Sequence, residues 1–218
     1  RNVSHAKTDG DVNVTFAAVD EPQRGIRMHL LADGASDLFL GESPSVRRAG
    51  RGSAGDNRKA LEYWMPHLIV RRSGEAPLSS TFAAVHEPFG SDHSGIRITR
   101  LEVDPPAPRT VALRITHGDL TDTLISTLDQ PPYPTRSTAA GISLRGRLGV
   151  VRQRGDTTLA MWLYEGEELS AGETRLTLPT ARYTGRISAA TRKEDGAADN
   201  ALVTPTELPV GTDLRGTW

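Results

Sequence analysis

Apolar and polar residues alternate with a period of two along most of this chain. Val12, Val14 and Phe16 alternate with Asn13, Thr15 and Ala17, and Ile26, Met28 and Leu30 alternate with Arg27 and His29. The same pattern returns at Val111, Leu113 and Ile115, at Ile142, Leu144, Gly146, Leu148 and Val150, and at Leu159, Met161 and Leu163. Such alternation sends successive side chains to opposite faces, so each run predicts a half-buried β-strand. Leu38-Phe39-Leu40 and Leu68-Ile69-Val70 are short unbroken apolar runs. They predict strands buried on both faces. Roughly twelve short strands joined by tight turns predict an all-β chain, an antiparallel β-sandwich of two packed sheets.

Turn chemistry punctuates these runs at Glu21-Pro22, Asp33-Gly34, Arg154-Gly155-Asp156, Glu165-Gly166 and Asp195-Gly196. Residues 145–153 and 157–164, joined at Gly155, read as one hairpin. In that hairpin Trp162 and Tyr164 share a face opposite Met161 and Leu163, which predicts that both aromatics are exposed. The Gly/Arg-rich stretch 47–61 reads as a surface loop, with one helical turn at 57–62. No other segment carries a helical period. Residues 1–180 are therefore read as the sandwich, and 181–218 as a loop and the start of a small C-terminal β element. Arg1 at one end and Leu214-Arg215-Gly216-Thr217-Trp218 at the other read as cut ends, which predicts a fragment of a larger multidomain protein.

One octapeptide is written almost twice. TFAAVDEP occupies 15–22 and TFAAVHEP occupies 81–88, followed by Gly25-Ile26-Arg27-Met28 and Gly95-Ile96-Arg97-Ile98 respectively. Each copy predicts a strand that Glu-Pro stops, because proline cannot donate to a sheet ladder, and then a strand that restarts. Phe16 and Phe82 are expected to be buried.

Charge alters this picture little. Lys and Arg number 26 against 27 Asp and Glu. No net field draws the chain to nucleic acid or to an anionic membrane. The absence of Cys removes disulfides, thiolate metal sites and thiol nucleophiles within the chain. No apolar run approaches the ~18–20 residues of a membrane-spanning helix.

Candidate chemistry is sparse. His86, Glu87, Asp92 and His93 lie close together, but their spacing is no recognised ligand pattern, and a polar loop accounts for them. His29 and His67 fall within strand patterns, and His117 precedes a turn. No nucleophile elbow surrounds Ser43, Ser79 or Ser80, and no phosphate loop surrounds Gly50-Arg51-Gly52-Ser53. Glu167-Glu168 reads as a solvated turn. The strongest electrostatic feature is two arginine pairs, Arg47-Arg48 and Arg71-Arg72, each following a strand. Guanidinium groups bind carboxylate and sulfate bidentately, so these four are the candidate substrate-binding residues. No catalytic residue, metal ligand or cofactor site is assigned.

Three ordered segments carry a family resemblance: Leu38-Phe39-Leu40-Gly41-Glu42-Ser43-Pro44, then Met65-Pro66-His67-Leu68-Ile69-Val70-Arg71-Arg72-Ser73-Gly74, then Leu78-Ser79-Ser80-Thr81-Phe82-Ala83-Ala84-Val85-His86-Glu87-Pro88. Together they resemble the C-terminal β-sheet region of heparinase II/III-like polysaccharide lyases. Leu208-Pro209-Val210-Gly211-Thr212-Asp213-Leu214-Arg215-Gly216 resembles a segment late in such proteins. The resemblance implies a helical toroid ahead of the β-sheets, and cleavage of acidic polysaccharides by β-elimination. There a Tyr or His base removes the C5 proton while the uronate carboxylate is neutralised. The family's catalytic Tyr and His have no counterpart in this chain.

The expectation is thus a non-catalytic sandwich region of a uronate-polysaccharide lyase, inactive alone. Its partners would be the helical toroid and an acidic polysaccharide, with neither nucleic acid nor membrane. The resemblance favours an extracellular or periplasmic, bacterial setting. The alternative is a free-standing carbohydrate-binding or adhesive module, for which Tyr63, Trp64, Trp162 and Tyr164 are the available stacking platforms. Trp64, beside the loop 47–61, is the expected centre of an exposed docking patch.

Overall fold

The computed structural model describes residues 1–31, 34–45, 61–91, 95–128, 131–178 and 186–205. Among them there is no α-helix, and every paired strand is antiparallel, so the chain is all-β and sandwich-like. It divides into two compact units, Arg1–Gly95 and Ile96–Trp218.

Among its described residues the first unit holds six strands: β1 (Ser4–Thr8), β2 (Val12–Ala17), β3 (Gly25–Leu31), β4 (Ser36–Pro44), β5 (Trp64–Arg71) and β6 (Ala83–Phe89). They form two three-stranded sheets, ordered β1-β4-β5 and β2-β3-β6. Leu30 and Leu31 of one sheet and Leu38 of the other are buried. A narrow cleft is lined from both sheets, by Leu30 and Leu31 and by Ser36 and Val70.

The two apolar runs become adjacent strands. Leu38 pairs with Val70, Phe39 with Ile69 and Leu40 with Leu68. They are not buried on both faces as their composition predicts. Ile69 is 60% exposed, because it lies on the sheet face turned to solvent. On that face polar side chains of β1 and β5, rather than a second apolar layer, cover Phe39.

The octapeptide copies take different structures. In the first, β2 ends at Ala17 and Glu21-Pro22 lies in the connection to β3. In the second, β6 runs straight through His86-Glu87-Pro88 to Phe89. The expectation that Glu-Pro stops the strand fails here because β6 is the edge of its sheet. An edge strand tolerates a missing N–H on its open side. The phase also differs. Val12, Val14 and Phe16 are the less exposed set in β2, whereas in β6 the set is Ala83, Val85, Glu87 and Phe89. Phe82 therefore precedes β6 and is 53% exposed, against the expectation that it is buried.

The second unit holds β7 (Arg97–Leu101), β8 (Val111–His117), β9 (Leu120–Ser126), β10 (Ser137–Ala139), β11 (Ile142–Arg154), β12 (Thr157–Ala171), β13 (Thr174–Thr177), β14 (Ala189–Thr191) and β15 (Ala201–Val203). Its main sheet is ordered β13-β12-β11-β9-β8-β7, with β10 against β11, and β14 and β15 form a separate hairpin. The predicted hairpin around Gly155 is present and longer than its alternation suggests. Glu165-Gly166, read as a turn, lies inside β12.

At that point the hairpin changes its inward face. Ile142 and Leu144 are buried before it, and Gly149 and Val151 after it, an odd step along the strand. A register shift between Arg145 and Gly146 marks the change. A Cβ on Gly146 would stand 2.5 Å from Gly166 Cα, so only glycine fits the pair. The core gathers around this bend: Ile125, Leu144, Val151, Leu163 and Leu169 are all buried. Full burial of one such side chain contributes about 1.5–3 kcal/mol.

Candidate functional site

The outward face of the β1-β4-β5 sheet carries the most developed surface chemistry among the described residues. Alternation along β4 places Asp37 and Phe39 on that face. Register then sets Lys7 and Arg71 beside Asp37, and His5 and Ile69 beside Phe39. His5 stacks on the Phe39 ring, with centroids 4.6 Å apart and planes 10° from parallel. From the other flanking strand, the Arg71 guanidinium lies 5.3 Å from the same ring. His5 Nε2 is 2.8 Å from Asp37 Oδ1, and Arg71 Nη2 donates to Asp37 Oδ2 at 3.1 Å. These two contacts, His5 first and Arg71 second, hold the Asp37 carboxyl below its ordinary pKa. Beside the cluster an open pocket of about 380 Å³ is lined by Lys7, Thr8, Asp9, Ser36, Asp37 and Ser73. Its size lies within the range of small-ligand clefts.

With the Phe39 ring covered by His5 and Arg71, the arrangement offers hydroxyls, an ammonium and a guanidinium with four further N–H donors. Asp9 and Asp37 offset part of the positive charge. Such a surface can hold a polyhydroxylated ring bearing a carboxylate.

Of the four arginines singled out in the sequence, Arg71 lies in this cluster. Arg72 is half-buried and turned the other way, its guanidinium lining the cleft between the two sheets of the first unit. Adjacent strand residues point to opposite faces, so the pair cannot act on one ligand. Arg47 and Arg48 lie outside the described residues. His5, Lys7 and Asp37 went unnoticed in the sequence, and Phe39 was read there only as part of an apolar strand. Their only local signals are two same-face pairs, His5/Lys7 and Asp37/Phe39.

A second cluster, again of a carboxylate, a His, an Arg and a Phe but with Glu in place of Asp, lies on β3 and β6. Glu87 Oε2 is 2.6 Å from His29 Nε2 and accepts from Arg27 Nη1 at 3.1 Å. The Glu87 side chain is only 1% exposed. The Arg27 guanidinium lies 5.4 Å from the Phe89 ring. Phe89 pairs with Gly25, where a Cβ would come 2.9 Å from the ring. His29 is thus a satisfied side chain.

His86 and Glu87 do not converge. His86 is exposed and Glu87 buried on successive, oppositely directed positions of β6. Asp92 and His93 lie outside the described residues, among which no cluster suited to a metal ion occurs. Glu167 and Glu168 are not in a solvated turn. They lie in β12, paired with Arg145 and with Arg136 respectively, and Arg136 holds the Glu168 carboxyl below its ordinary pKa.

Trp64 is not an open platform either. Arg1 lies 4.0 Å from its ring, and its Nε1 donates to the Leu61 carbonyl at 2.7 Å. The loop that was expected to border it falls outside the described residues over 46–60. No family model matches this sequence, and no curated protein and no solved structure matches it.

Proposed function

We propose that this chain is a non-catalytic β-sheet region of a heparinase II/III-like polysaccharide lyase, and that it contacts uronate-containing chains through the outward face of β1, β4 and β5. In this reading it supports a helical catalytic domain and performs no elimination itself. The observation that carries the reading is the Arg71–Phe39–His5 stack beside the Lys7 pocket. A guanidinium and an ammonium suit a uronate carboxylate, and the hydroxyls of Thr8, Ser36 and Ser73 suit those of a sugar ring. Further support comes from the order of the segments that resemble the family. The first two form the paired strands β4 and β5, and the third supplies β6.

Exposed ion pairs are screened, so the contact is weak and salt-sensitive. The test is affinity electrophoresis in gels containing heparin or alginate, at low and at raised salt. Retardation that disappears with salt, and on Arg71→Ala, is the expected result. Mobility unchanged by either polymer would count against the site. Steady formation of unsaturated uronate by the chain alone would overturn the non-catalytic reading.

A further inference from the structure

We propose that the outer face of the β11–β12 hairpin, centred on Trp162 and Tyr164, is a binding platform for neutral polysaccharide. The two rings stand on one face of β12 and are 41% and 42% exposed. Same-face neighbours on a strand are about 6.7 Å apart, so the rings form a row rather than a stack. Val150 faces Trp162 across the hairpin and Leu148 faces Tyr164, both half-buried, and they give the row an apolar floor. Over this stretch β12 has no second neighbour among the described residues, since β13 pairs only with Glu168 to Ala171. Among the described residues the row therefore borders an unpaired stretch of the sheet edge, along which a linear polymer can extend.

The charge of the patch selects the ligand. Arg152 lies 5.6 Å from the Trp162 ring. Its Nε and Nη2 donate to the two carboxylate oxygens of Asp122, each at 2.7 Å. This two-pronged pair cancels the charge on both sides and fixes the guanidinium. What remains is a neutral surface with spare N–H donors and carboxylate lone pairs at the end of an aromatic row. A chain of uncharged pyranose rings matches it: apolar ring faces meet the indole and phenol, and hydroxyls meet the Arg152–Asp122 pair. An acidic glycan gains little there, because among the described residues the Arg152 charge is compensated by Asp122. The inference does not depend on the lyase reading, which rests on a different sheet.

Affinity electrophoresis against mixed-linkage β-glucan, xylan and galactomannan, with heparin as the acidic control, tests it. The expected result is retardation by at least one neutral glycan, insensitive to salt. Trp162→Ala should weaken that binding about tenfold, and Tyr164→Ala by a smaller factor. Trp162→Phe should retain part of it. Arg71→Ala should leave it unchanged while reducing any heparin retardation, which separates this site from the first. If Trp162→Ala fails to fold, Tyr164→Ala and Trp162→Phe carry the test. No retardation by any neutral glycan, or retardation equal in wild type and folded Trp162 and Tyr164 variants, would overturn the platform. So would a concentration-dependent dimer abolished by the same variants, since it would make a second copy the occupant.

Discussion

The first unit contains one chemical arrangement twice, once in the open and once buried. On β4, Asp37 is followed two residues later by Phe39, and a His and an Arg from the flanking strands grip the carboxylate while the guanidinium lies over the ring. On β6, Glu87 is followed two residues later by Phe89, and His29 and Arg27 of β3 do the same. The difference is solvent. His5 and Arg71 are 46% and 60% exposed, so water reaches the partners of Asp37, whose own side chain keeps 14% exposure. The Glu87 carboxylate has given up its hydration and depends on its partners. If the open cluster binds glycan as proposed, the exposure of its His and Arg is what separates it from the buried one.

The largest expected effect breaks the buried member. Glu87→Ala leaves Arg27 and His29 without their carboxylate, and removing the acceptor from two part-buried donors costs about 1–3 kcal/mol. Urea unfolding should show that loss. Glu21→Ala, at the matching letter of the first octapeptide, should stay within about 0.5 kcal/mol, because its pair with Arg24 is exposed. Equal effects at the two positions would mean that the second copy is not the buried edge strand described here.

The next contrast concerns binding. Arg71→Ala should reduce heparin retardation several-fold while leaving the unfolding midpoint nearly unchanged. Arg27→Ala should do the reverse, lowering the midpoint with no direct effect on retardation. A variant pair that moved both readouts together would erase the distinction between a binding and a supporting cluster.

The fold class was legible because period-two alternation reports directly on strands. β2, β3, β8, β11 and β12 all sit where the pattern places them. The octapeptide misled for a physical reason. Thr-Phe-Ala-Ala-Val permits either inward phase, since alanine fits both faces, and the choice falls to the neighbouring strand. β3 lies between the two copies' strands and pairs with both β2 and β6. Arg27 accordingly has Thr15 on one side and Glu87 on the other. The open cluster was mostly illegible, because it is made by register across β1, β4 and β5. Arg71 was visible as a charge. Its companions His5 and Asp37 are distant in sequence, and only the pairing brings them together.

A smaller effect is expected from exchanging the one residue at which the octapeptides differ. Asp20→His and His86→Asp each alter an exposed side chain. Each should change stability by no more than about 0.5 kcal/mol. A large loss from His86→Asp would show that this exposed position of β6 contributes to the difference between the copies, which is here assigned to the surroundings of Glu87.

The smallest effect is a pH dependence of the open cluster. His5 and Arg71 lower the Asp37 carboxyl in the folded chain, and the nearby charges of Arg71 and Lys7 act in the same direction. A carboxyl depressed on folding contributes stability above its unfolded value, about 3.9, and loses it as pH falls through the lower folded value. The stability difference between wild type and Asp37→Asn should therefore be small and fully present at about pH 5. It should shrink only in more acidic solution, as Asp37 takes up its proton. Thermal unfolding of the two proteins across that range measures it. A difference that instead appeared only on acidification would reverse the sign of the linkage, and with it the view that His5 and Arg71 hold an ionised Asp37 on the open face.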